Sequence, residues 1–135
     1  MCHAHSLAAA TGNLSRLREC LEADLSRRDT CSPQDGATPL MYAAMMGRVD
    51  MVQLLVEKGC DLDKQDAISG WTALMQATYH GKKVVAKYLI NAGANVLIPA
   101  KNGCTAFDLA SLIGTVRLHD VHNCACACTC TCTCM

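Results

Sequence analysis

Sulfur and imidazole are the reactive groups that stand out in this chain, and they are unevenly spread. Of eleven cysteines in 135 residues, Cys2, Cys20, Cys31, Cys60 and Cys104 stand singly, while six crowd the C-terminal run CACACTCTCTCM. Cys-x-Cys alternation brings thiolates close enough to share a soft metal, and His119, His122, Cys124 and Cys126 make a mixed nitrogen and sulfur set of a kind zinc accepts. No globular element needs such alternation, however, and alternating Cys-Ala and Cys-Thr codons can be written as a dinucleotide repeat. A translated microsatellite from a retained intron, beginning near Gly114, therefore outweighs a selected metal site. In either case a tail of thiols invites oxidation and adventitious metal.

The other chemistry-bearing residues are sparse. Asp61, Asp63 and Asp66 suggest a calcium loop, but the stretch lacks the glycine and the final glutamate that such a loop requires, so turn and cap duty is the better reading. His80 has no nucleophile or orienting group beside it, so partner contact or plain exposure outweighs general-base chemistry. Nucleotide-binding GxxxxGK[ST], metalloprotease H-E-x-x-H and regular CxxC motifs are absent. The expectation is a non-enzyme without a cofactor.

Twelve basic residues balance twelve acidic ones, which gives no global reason to expect nucleic acid or an anionic membrane as partner. No stretch reaches the roughly 18 apolar residues of a membrane helix, and MCHAHSLAAATG lacks the pattern of a secretory signal, so a cytoplasmic or nuclear location is expected, with the cytoplasm preferred. A hydrophobic fraction of 51% against 18% charged residues requires a core.

The elements that build this core repeat. Over Gly70 to Val96, Thr72 suits an N-cap, and Leu74, Ala77 and Thr78 share one helical face. Gly81 ends that helix. Val84, Val85, Tyr88 and Leu89 mark a second amphipathic helix with Lys82, Lys83 and Lys87 on its polar side, closed by Gly93. Helices of two or three turns are unstable alone, so neighbours must hold them. The glycines provide the register: Gly36, Gly70 and Gly103 step by 34 and 33, as do Gly47, Gly81 and Gly114. Such a period is the mark of a helical solenoid.

Within it, GATPLMYAAMMGRVDMVQLLVEKGCDLDKQD resembles the ankyrin repeat in its Thr-Pro-Leu opening, its Ala-Ala pair and its Leu-Leu-x-x-x-Gly close. The resemblance implies an all-α ankyrin-repeat solenoid of helix-turn-helix units with short projecting turns. About three units and a half-built fourth occupy 1–114, and a disordered Cys-rich tail occupies 115–135. The first unit carries Asp24 in place of the closing glycine and reads as a worn cap. Met41, Met75 and Asp108 replace the usual histidine after Thr-Pro-Leu, so the opening turns are expected to lack some customary hydrogen bonds. The segment 60–70 is one residue longer than its counterpart before Gly103, which reads as an insertion. Beyond Gly114, TVRLHDVHN carries few apolar residues, and the flank of α-helix Val84, Val85, Tyr88 and Leu89 is expected to lose part of its cover. The asparagine that is hydroxylated in some ankyrin proteins corresponds to Arg28, Asp63 and Leu97, so that modification does not carry over.

SGWTALMQATYHG, with DKQD before it and AKNGCTAFDLASL after it, is similar to the arrays of the ankyrin-repeat and sterile-alpha-motif proteins. Those proteins are interaction scaffolds, some of them at the primary cilium. The implied function is a protein-binding scaffold or adaptor for a ciliary or cytoskeletal complex, here as a short or alternatively spliced form without the sterile-alpha-motif domain. The alternatives are a metal-handling or redox-active tail, and a splice product with no function of its own. By the family pattern the partner, another protein, meets the turn tips and the open side of each first helix. The implied contact residues are Trp71, Gln76, Tyr79, His80, Met45, Met46, Lys101 and Cys104. Trp71 is the sharpest of these, with packing against Ile68 as its competing role. On the contact reading, Trp71→Ala should leave the melting temperature nearly unchanged.

Overall fold

The computed structural model describes residues 4–24, 26, 29 and 31–113. Among them lie seven helices and no strands: α1 (Ala4–Thr11), α2 (Leu14–Ala23), α3 (Pro39–Met46), α4 (Val49–Glu57), α5 (Ala73–Tyr79), α6 (Lys83–Asn91) and α7 (Ala106–Ile113). The all-α solenoid implied by the repeat period is thus observed. Helices α1, α3, α5 and α7 stack side by side as an inner layer, and α2, α4 and α6 back them as an outer layer. The core lies between the layers, filled by Leu17, Leu21, Leu40, Met41, Met51, Leu55, Leu74, Met75, Val85 and Leu89. No described helix is long and apolar enough to cross a membrane.

Capping explains why the inner helices start where they do. Thr38 and Thr72 sit in extended backbone and accept the N–H of Met41 and Met75 on their hydroxyls. Pro39 at the first helical turn of α3 forfeits an N–H that would have had no partner. The turns do not all lack the bonds expected to be missing. Asp108 accepts both the N–H and the hydroxyl of Thr105 at 2.9 Å, and its own N–H returns to Thr105 Oγ1 at 3.2 Å. This is a complete capping box with a carboxylate in the place of the usual histidine. At Met41 the substitute is poorer, since Thr38 N–H meets only the thioether sulfur at 3.5 Å.

Neighbouring units are tied along their turns. Ala67 N–H donates to Asp35 O at 3.1 Å, and Lys101 N–H donates to Ser69 O at 3.0 Å, the same bond one repeat later. This close approach requires glycine beside it. Gly36 and Gly70 have φ of 73° and 70°, and a Cβ on them would lie 2.7 Å from Ala67 N and 2.9 Å from Lys101 N. A second seam runs nearer the outer helices. Asp29 accepts Asp61 N–H and Asp63 accepts Asn95 N–H, each at 2.8 Å. Gln65 Nε2 bridges Gly70 O at 2.6 Å and Pro99 O at 2.9 Å.

Hydrogen bonding and burial correct three details of the sequence register. Asp29, not Arg28, is the counterpart of Asp63, because the first unit gains a residue after α2, where Asp24 takes an extended conformation in place of a left-handed glycine. The turn Asp66–Trp71 is closed by the same span of chain as Ser32–Ala37, whereas Ala100–Cys104 is one residue shorter. The odd turn is therefore the third, which is shortened, and the second carries no insertion relative to the first. On α6, Val84 is 65% exposed while Ala86 is fully buried, so the buried face is Val85, Ala86 and Leu89.

Candidate protein-binding face

The two layers differ in the chemistry they leave open. The outer helices expose Arg16, Arg18, Glu19 and Glu22 on α2, Asp50 and Glu57 on α4, and Lys83 and Lys87 on α6. The inner helices α1, α3 and α5, with sequences AHSLAAAT, PLMYAAMM and ALMQATY, contain no Asp, Glu, Lys or Arg. Their open positions are filled by Leu7, Tyr42, Met46 and Tyr79, among others, and Leu7, Met46 and Tyr79 are 62%, 47% and 53% exposed. Water favours the first pattern and not the second.

Trp71 enters this face from the turn before α5. Its indole is half-buried against the core, and its ring centroid lies 5.1 Å from that of Tyr79 at an interplanar angle of 57°. Tyr79 in turn meets His80 edge-on, with centroids 5.2 Å apart and planes at 85°. Both are geometries that aromatic quadrupoles favour. Ile68, expected as a competing contact for Trp71, is 63% exposed. The turn is held by Asp66, whose carboxylate accepts the N–H of Ser69 at 2.9 Å and of Trp71 at 3.1 Å. The three acidic residues of this segment do serve as turn and cap groups: Asp61 accepts Asp63 N–H, and Asp63 reaches the next repeat.

The structure brings Trp71, Tyr79 and His80 together, with Gln76 half-buried on the same open side of α5. Met45 and Met46 occupy the matching positions on α3, one half-buried and the other exposed. Lys101 is at the turn tip, where its ammonium is already engaged by Ala67 O, and Cys104 is a half-buried free thiol in the last turn. His119, His122, Cys124 and Cys126 lie outside the described residues. Within the described residues no cluster of His, Cys, Asp or Glu could hold a metal ion.

Sequence reasoning missed Tyr42, which shares the open face of α3. Its hydroxyl donates to Asp35 Oδ2 at 2.8 Å, and Ala37 N–H donates to Asp35 Oδ1 at 3.1 Å. Burial raises the Asp35 carboxyl, but the bonds from Tyr42, Ala37 and Ser32 outweigh it and hold the carboxyl below its ordinary 3.8. Burial and the Asp35 contact push the Tyr42 phenol up from 10.0. The signal was present, since Tyr42 is one repeat before Gln76.

Comparison with known proteins agrees with this architecture. The family model for ankyrin repeats in many copies matches residues 4–56 and 40–90. Ankyrin repeat and SAM domain-containing protein 6 of Mus musculus is 54% identical over 106 residues, which is 78% of this chain and 12% of that protein. The Danio rerio protein of the same name is 50% identical over 106 residues, 78% of this chain and 14% of its own length. Protein phosphatase 1 regulatory subunit 27 of Mus musculus is 34% identical over 84 residues, 62% of this chain and 53% of the relative. The chain thus spans only about an eighth of the SAM-containing relatives it matches. With the family model covering well over half of its residues and its helices stacked in that order, the chain belongs to the ankyrin-repeat family.

Proposed function

We propose that the chain is a protein-binding scaffold or adaptor that docks its partner on the open side of α3 and α5. Ankyrin repeats generally mediate protein–protein interaction, and the relatives include a phosphatase regulatory subunit. The observation that carries the reading is the segregation of charge: the outer face is charged, while the inner face carries Trp71, Tyr79, Met46 and Tyr42 with no charge among the exposed residues of α1, α3 and α5. Large aromatics in such a setting are the residue types that dominate binding energy. Gln76, His80, Met45, Lys101 and Cys104 complete the surface.

The finer assignment, to a cytoplasmic complex at the cilium or cytoskeleton, rests on the likeness to the SAM-containing relatives. Co-localisation of the tagged full chain with an axonemal marker tests it, and a diffuse cytosolic signal in ciliated cells would reject it.

The docking face is tested by affinity capture with the full chain as bait. Tyr79→Ala should reduce recovery of captured proteins about tenfold, whereas Asp50→Ala on the outer face should not. The reverse pattern would remove the inner face from consideration.

A further inference from the structure

The docking face is bordered on one side by cations that have no acidic partner among the described residues. Arg48 and Lys82 occupy the same place in successive repeats, two residues past Met46 and His80. Their side chains lie back across the preceding unit: a Cβ built on Gly12 would meet Arg48 Nη2 at 2.8 Å, and one built on Gly47 would meet Lys82 Cδ at 2.8 Å. Both cations therefore run along the ends of the inner helices, beside the uncharged face. Lys83, exposed at the first position of α6, adds a third cation directly after Lys82. No described carboxylate forms an ion pair with Arg48, Lys82 or Lys83. At the opposite border, the turn tips, Lys101 spends its ammonium on Ala67 O, and Asp35 spends its carboxylate on Tyr42 and Ala37.

We infer that this chain recognises an extended segment with aliphatic or aromatic side chains at its centre and Asp or Glu at one end. The apolar centre lies over Met46, Trp71 and Tyr79, and the acidic end meets the Arg48–Lys82–Lys83 border. An uncharged centre avoids stranding a desolvated charge on a face that has none to pair with it. A carboxylate at the border finds cations without a competing acidic partner among the described residues. The inference rests on the inner face being the docking face, and it adds the chemistry of the segment and the border that its acidic end meets.

The test uses a random 16-residue peptide library displayed on phage, selected on the full chain at low salt. Enriched peptides should share an apolar centre followed or preceded by acidic residues. Their affinity should fall about tenfold on Tyr79→Ala, and again about tenfold on the triple neutralisation Arg48→Gln, Lys82→Gln and Lys83→Gln. It should also weaken as sodium chloride is raised from ~50 to ~500 mM, because border pairs are screened. Circular dichroism verifies that each variant stays folded, and Lys83→Gln alone, at an exposed position, gives a second reading of the border. Peptides that depend on Tyr79 but carry no acidic bias and ignore the neutralised border overturn the inference and leave the docking face standing. Peptides indifferent to Tyr79 overturn both, and basic peptides or no enrichment overturn the inference.

Discussion

Replacing Gly70 with alanine probes the contact that joins the second and third turns, and its effect can be worked out by comparison with Gly103→Ala. Both glycines have left-handed backbone, φ +70° and +86°. An L-residue there costs about 1–2 kcal/mol whatever its surroundings. At Gly103 nothing lies within 4 Å of the added methyl, so that is the whole cost. At Gly70 the methyl would meet Lys101 N at 2.9 Å and Ala100 C at 3.5 Å, which are backbone atoms that cannot swing aside. Overpacking adds roughly 1–3 kcal/mol. The expected losses are thus about 3 kcal/mol for Gly70→Ala and about 1 kcal/mol for Gly103→Ala, read by urea unfolding followed by far-UV circular dichroism. Relief of the clash must also move Lys101 away from Ser69 O, so the Lys101 amide should lose its exchange protection in Gly70→Ala and keep it in Gly103→Ala. Equal losses, within ~0.5 kcal/mol, would show that the turns are not in fixed contact and that the seam is not built as described.

Four further outcomes are expected. Asp108→Ala should remove the capping box at Thr105 and cost about 1 kcal/mol, seen as faster amide exchange confined to the first turn of α7. Asp63→Ala leaves Asn95 N–H without its acceptor and should cost about 1 kcal/mol, measured by the urea midpoint; an unchanged midpoint would deny the seam its role. The Asp35 carboxyl is lower in the folded state than its ordinary 3.8, so its contribution is complete above that value and is lost as pH falls through the folded one. Carboxyl carbon shifts should show this midpoint below 3.8, rising in Tyr42→Phe. Trp71→Ala should lower stability by about 1–2 kcal/mol, contrary to the unchanged melting temperature that the sequence suggested, because the indole packs on the core and on Tyr79.

Much of the fold was legible because a repeat states its register several times. Thr72 could be read as a cap, and Leu74, Ala77 and Thr78 as core, from local chemistry alone. Other details failed where local pattern and register disagree. Val84 looks like part of an apolar stripe on α6, yet it stands one repeat after the exposed Asp50, while Val85, Ala86 and Leu89 stand one repeat after the buried Met51, Val52 and Leu55. Register was the better guide, because stacking and not the hydrophobicity of one helix decides which face is covered. Asp108 matches the family pattern only as a lost histidine, yet a carboxylate at that offset from Thr105 is itself a capping group. The candidate face was legible as a list of residues but not as an arrangement. That Trp71 lies on Tyr79 depends on the path of the turn set by Asp66, which no spacing rule conveys.

The turn-to-turn bond is directional. At both described seams the later unit supplies the N–H and the earlier unit the carbonyl, from Ala67 to Asp35 and from Lys101 to Ser69. A unit's leading and trailing surfaces are therefore different, and joining them is a head-to-tail operation with no twofold symmetry to close it. Length is then a free variable: a duplicated segment of one period arrives with both matching surfaces already made, and it extends the inner face without redesigning either neighbour.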